Sequence, residues 1–196
     1  MPSRVARDRV ARELDLVCYR TPKRHALGKP DVSEPRLFQH GFNLGDLILP
    51  IAAIRGEGTS NDYFPPEVPA LPAFSLQKAI SSTIRGYRRD YWTGTVYTTN
   101  RRVWEHDEDL KKYLRRIRCM AIDMETATVF ITGFYNEIPT GALLLVSDQP
   151  MVPEGVKTSQ SDQKVTTEHA NLHLKIGIDS LTELINQGVT VKHLRF

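Results

Sequence analysis

The sequence predicts an α/β fold, a mixed and largely parallel sheet flanked by helices. Three observations carry that expectation. Short, nearly continuous apolar runs at residues 47–54 and 141–147 have the texture of strands covered on both faces. Stretches with apolar residues at helical spacing lie between the strand-like runs, and strands alternating with helices imply parallel pairing. Composition agrees: of 196 residues, 40% are hydrophobic and 25% charged, the ordinary balance of a globular domain. No apolar run approaches the roughly 20 residues that a membrane span requires.

The first 43 residues differ from the rest. Residues 2–19 can form a helix with Val10, Leu14 and Val17 on one stripe. They are Arg-rich, but Asp8, Glu13 and Asp15 spoil the acid-poor signature of an import sequence. Pro22, Gly28, Pro30, Pro35 and Gly41 punctuate residues 20–43, which read as an irregular linker. Nine Lys and Arg against five Asp and Glu give residues 1–40 a charge of +4, while the whole chain carries +3. The basic balance therefore belongs to the arm at 1–43. The body at 44–196 has no electrostatic footprint for nucleic acid. Binding of RNA by the arm alone would betray itself by a steep salt dependence.

Within the body, Pro50 interrupts the first strand and removes a ladder donor, which calls for a bulge or an edge. Residues 55–72 form a long loop holding four of the twelve prolines, and loops of that length in compact domains are usually functional. A helix follows at 75–87, opened by a Ser75 cap, with Leu76, Ile80 and Ile84 on its apolar stripe. Residues 93–99 are β-rich. Asp107 caps a second helix at 110–118, whose basic C-terminal end suits the helix dipole. Residues 120–124 form a short strand running into a helix at 125–135. Residues 141–147 are the clearest buried strand. A last helix lies within 165–187, with Leu181, Leu184 and Ile185 on its apolar side and Gly188 beyond its end.

Ligands of open α/β sheets bind beyond the carboxyl ends of strands. Three such ends are polar here: residues 55–62, residues 123–126 and residues 147–150. Asp148 can serve there as a general acid or as a turn aspartate before Pro150. Glu125 can accept hydrogen bonds from vicinal hydroxyls, or complement the dipole of the helix it precedes. Two cysteines, Cys18 and Cys119, are too few for a disulfide framework or a zinc cluster of the usual spacing, and a reducing cytoplasmic setting is the default. His169 and His173 share a helix face but have no third ligand nearby in sequence, so surface or half-buried packing is their expected fate and no metal is implied.

Taken together, several segments resemble one family. MAIDMETATVF (120–130) is similar to the ribose-binding signature of the purine nucleoside phosphorylase and nucleosidase superfamily. LLLVSDQP (143–150) resembles that superfamily's strand ending in Ser-Asp. Closer still, GDLILPIAAIRGEGTSNDYFPPEVPALPAF (45–74), GTVYTTNRRVWEHDEDL (94–110) and the tail VKHLRF resemble AMP nucleosidases of the short bacterial type.

The resemblance implies a phosphorylase/nucleosidase-like sheet, no cofactor, and a homo-oligomer with sites near subunit contacts. It implies hydrolysis of the N-glycosidic bond of AMP to adenine and ribose 5-phosphate. Asp148 would protonate the purine at N7, with Ser147 positioning its loop, and Glu125 and Met124 would contact the ribose, the two acids converging from neighbouring sheet ends on one cleft. Tyr97 or Trp104 would stack on the base, unless they are core aromatics. Arg55, Arg101 and Arg102 are candidates to clamp the phosphate, or else surface charges; Lys157 is a further candidate. The superfamily's strand-rich N-terminal half, with its glycine-rich phosphate or water site, has no counterpart in residues 1–43, so the sheet is expected to lack its first strands. Two alternatives stand beside hydrolysis: phosphorolysis with inorganic phosphate as nucleophile, and a catalytically silent relative that binds nucleotide.

Overall fold

Pro50 shapes the strand at the centre of the sheet. In the computed structural model, which describes residues 25–26, 42–149, 151 and 159–187, that strand runs Leu47–Gly56. With His25–Ala26 as β1, it is β2. Its pairing with β3 (Trp92–Thr99) is parallel and slips between Pro50 and Ala52. The slip is the bulge that a proline without an N–H forces. It also resets the two-residue alternation. Ile48 points to one core face before the bulge and Ala53 after it, while Ile51, on the bulge, is 56% exposed.

The strand order is β1-β4-β3-β2-β5, with β4 at Ala121–Asp123 and β5 at Leu144–Leu145. β2, β3 and β4 are parallel neighbours, so Gly56, Thr99 and Asp123 end on one edge of the sheet. The outer strands are antiparallel: β1 pairs His25 with Ile122, and β5 pairs Leu145 with Leu47. The sheet is thus mixed with a parallel core, as the alternation of strands and helices predicts. The run at 141–147 is buried over Leu144–Ser147, but only two of its residues pair as a strand. Within the arm, residues 25–26 form a strand where composition predicts only linker. The helix expected at 2–19 lies outside the described residues, as do Lys157 and Gly188.

Helices cover both faces. On one, α3 (Thr126–Tyr135) seats Ala127, Phe130 and Ile131 against Ile48, Val96 and Ala121. On the other, α1 (Phe74–Gly86) lays Ile80 and Ile84 with Ile176 of the long α4 (Ser159–Gln187) against Leu47, Leu49 and Leu145. α2 (Glu108–Arg116) caps a third cluster of Trp104, Leu114, Cys119 and Ile122. Asp107 does cap α2, accepting from the Leu110 N–H at 2.9 Å. The Ser75 cap is corrected: α1 begins at Phe74, its N-cap is Ala73 with no side-chain bond, and the Ala73 N–H goes to the Thr140 carbonyl at 2.7 Å. On α4, Leu181 is buried as predicted while Ile185 is exposed. His173 Nε2 lies 2.8 Å from the Leu143 carbonyl, and the His169 ring packs so closely on Gly45 that a Cβ there would clash with it, while the glycine's φ of +88° disfavours any other residue. Among the described residues no helix is long and apolar enough to cross a membrane.

Candidate active site

The carboxyl edge of the parallel core is held together by hydroxyls. Asp123, fully buried, accepts from Thr98 Oγ1 at 2.7 Å, from the Thr126 N–H at 3.0 Å and from Thr126 Oγ1. Thr98 Oγ1 in turn accepts from the Ala127 N–H at 2.9 Å. Two orphan donors of the first turn of α3 are thereby satisfied, and the helix start is bolted to β3 and β4. Glu125, exposed at the N-cap of α3, is carried on this mount, with half-buried Met124 before it.

The loop after β2 has its own clasp. All five N–H donors of Arg55 are engaged: Nε with Ser60 Oγ at 2.8 Å, Nη1 with the carbonyls of Pro65 and Val68, Nη2 with Asn61 Oδ1 and the Phe64 carbonyl. The planar fork that would grip a phosphate grips this proline-rich loop instead. Glu57, 5% exposed, ties the loop to α3, its Oε1 accepting from the Ser60 N–H and from Thr128 Oγ1, each at 3.0 Å. Burial pushes the Glu57 carboxyl up, but the bonds from Ser60 and Thr128 outweigh it and hold the group below its ordinary value.

Tyr97 lies in a row across three strands, Ile54–Tyr97–Ile122. Its ring covers Gly56, where any Cβ would strike the Tyr97 hydroxyl end, and meets Tyr113 edge-on with centroids 6.1 Å apart. Trp104, by contrast, is 1% exposed within the α2 cluster, so it packs core and offers no face to a base. Arg101 is exposed and paired with Asp107 at 2.7 Å; Arg102 is exposed beside it.

Asp148 is 2% exposed, with Oδ1 accepting from the buried Ser147 hydroxyl at 3.0 Å. Topology departs from expectation here. β4 and β5 are separated by β3 and β2, and β5 is antiparallel to β2. Ser147 and Asp148 therefore leave the sheet at the end where β2 begins, whereas Glu125 leaves where β4 finishes. They are not neighbouring strand ends. Met151 packs against the cluster of Trp104, Leu114, Cys119 and Ile122, as do Ile54 and Tyr97. Met151 is three positions beyond Asp148, so their Cα atoms lie within about 11 Å. Met151, close along the chain to Asp148, therefore shares a cluster with Tyr97.

Glu57 is the functional candidate that sequence reasoning passed over. Its signal was available: an acid one residue beyond an apolar strand, the same placement that singled out Asp148 and Glu125.

A mixed α/β sheet with acids at its strand ends is the kind of fold that binds small molecules beyond those ends. The chain belongs to the phosphorylase superfamily, whose family model it matches over residues 37–183. AMP nucleosidase of Escherichia coli (strain K12) is 30% identical over 154 residues, 74% of this chain and 32% of that protein. Uridine phosphorylase of Treponema pallidum (strain Nichols) is 29% identical over 73% of this chain and 57% of its own length. The chain thus spans from about a third to somewhat over half of these two curated relatives. Among solved structures, AMP nucleosidase from Bacteroides thetaiotaomicron VPI-5482 is 48% identical with a TM-score of 0.65, covering 92% of this chain and 69% of that one. Uridine phosphorylase from Vibrio fischeri ES114, with a TM-score of 0.67 at 23% identity over 82% of this chain and 61% of that one, shares the fold.

Proposed function

We propose that the chain cleaves the N-glycosidic bond of AMP, giving adenine and ribose 5-phosphate. The observation that carries this reading is Asp148, a buried carboxyl oriented by the Ser147 hydroxyl and three positions before Met151, which shares a cluster with Tyr97. The similarity to AMP nucleosidases supports the choice of substrate.

The chemistry asks for two things, protonation of the leaving base and stabilisation of positive charge at the anomeric carbon. Asp148 in its acid form gives its proton to the purine N7 as the C1′–N9 bond breaks, so adenine leaves neutral. Glu125 accepts hydrogen bonds from the ribose hydroxyls and sets its negative charge against the oxocarbenium-like ring, Met124 packing beside it. Water adds to C1′ and loses a proton to solvent. Tyr97 stacks on the base. Arg101 and Arg102 meet the 5′-phosphate, since Arg55 is committed to its loop. The protein works as a homo-oligomer.

Similarity to a uridine phosphorylase favours a second reading, in which inorganic phosphate replaces water as nucleophile. Adenine release from AMP alone, against release from adenosine plus phosphate, separates the two. Asp148→Asn is expected to lower kcat by roughly 10²–10⁴ with KM little changed. Glu125→Gln is expected to raise KM and lower kcat together. An undiminished rate in Asp148→Asn would remove Asp148 from the chemistry, and release only from adenosine with phosphate would replace hydrolysis by phosphorolysis.

A further inference from the structure

Glu57 holds one oxygen in a bond network and another in none. Oε1 is saturated by Ser60 and Thr128, while Oε2 is buried without a hydrogen-bond partner among the described residues. A carboxylate offers about four acceptor positions over its two oxygens, and leaving a buried charged acceptor unmet is costly. Its hydrogen bonds nonetheless keep the group below the ordinary glutamate range, so it is ionised at neutral pH.

Position says what kind of donor could meet it. Glu57 is the first residue beyond β2, on the edge where Thr99 and Asp123 also end their strands. Its partner Thr128 stands three residues after Glu125, and the Val129 N–H bonds the Glu125 carbonyl at 2.9 Å, so the helical register runs through both. Glu57 is therefore fastened to the first turn of α3, the helix whose N-cap is Glu125. An acceptor-only, negatively charged pair suits a neutral polyol and repels phosphate.

We propose that Glu57 is a further ligand-binding residue of the carboxyl edge, its Oε2 accepting a hydrogen bond from a hydroxyl of the ribose beside Glu125. This rests on the reading of the site as a nucleotide site and adds a second sugar contact to it.

The test is calorimetric titration of AMP, 2′-deoxy-AMP and 3′-deoxy-AMP into the Asp148→Asn chain, in which turnover is slowed, with and without Glu57→Gln. Loss of a charged hydrogen bond should weaken AMP about tenfold. The deoxynucleotide lacking the hydroxyl that Glu57 receives should bind both chains alike. Equal affinity for AMP in both chains overturns the proposal. So does an equal loss across all three nucleotides, which is what a purely structural Glu57 would produce. If Glu57→Gln loses its cooperative thermal transition, Glu57→Asp, which withdraws the carboxylate by one methylene and keeps its charge, is held to the same pattern. If the Asp148→Asn chain binds none of the three while folded, the nucleotide reading falls and takes this one with it; if it binds and the discrimination is absent, only the Glu57 contact falls.

Discussion

Asp123 and Asp148 are both buried aspartates at strand ends, yet they are held in unlike ways. Asp123 closes the gap between β3, β4 and α3, and its donors come from Thr98 and from two groups of Thr126. Asp148 stands beyond a two-residue strand and takes a hydrogen bond from its own neighbour, Ser147. The first joins elements that are distant in sequence. The second takes a bond from the adjacent residue, three positions before Met151, which packs against the α2 cluster. Burial alone therefore does not mark a working acid. What the two share is burial; what differs is that Asp123 takes donors from two other elements of the sheet edge, whereas Asp148 takes one from the residue beside it.

The largest test of that contrast is Asp123→Ala. It strands two threonine hydroxyls and an N–H inside the sheet edge, and a loss of about 3 kcal/mol is expected. For a chain of this length that is a fall in Tm of roughly 6–12 °C, read by calorimetry or circular dichroism. Asp148→Asn should move Tm by less than a third as much while lowering turnover by the factor given above. Comparable losses of stability from both would erase the distinction between frame and acid.

The parallel core was legible because its signals are local. Pro50 announces its bulge by lacking an N–H, and Asp107 its cap by type and place. Direction was not legible: an apolar run looks the same whether it pairs parallel or antiparallel, so the reversal of β5 against β2, and with it the separation of Asp148 from Glu125, had no trace in residues 141–147. Contacts across the chain were hidden for the same reason. Glu57 finds Thr128 some 71 positions away, and Arg55 spends its donors on carbonyls, which every residue has and no pattern reveals. Trp104 could be read two ways until Leu114 and Ile122 closed around it.

A middle-sized effect concerns the acid side of stability. Because Glu57 sits below its ordinary value of 4.5 when folded, its contribution is complete above that pH and is lost as pH falls through the folded value. The denaturation midpoint of the parent chain should therefore drop more steeply between pH 5 and pH 3, windows set by that shift, than that of Glu57→Gln. Asp107 and Glu108 are likewise held low, by the Leu110 N–H and by Lys111, but they are present in both chains and cancel in the difference. Parallel pH profiles would mean that the bonds from Ser60 and Thr128 do not favour the charged form.

The smallest effect reads the bridge between the two regions. Cys119 lies in the cluster that Met151 packs against, and burial pushes its thiol up to about 12. At neutral pH it should react with a thiol reagent only when the cluster opens. In a Cys18→Ser chain, where Cys119 is the one thiol left, native labelling is expected to be far slower than labelling in denaturant. Met151→Ala should then speed native labelling by about tenfold, the factor that roughly 1.4 kcal/mol of lost local packing produces. If Met151→Ala labels no faster, the segment after Asp148 does not hold the cluster closed.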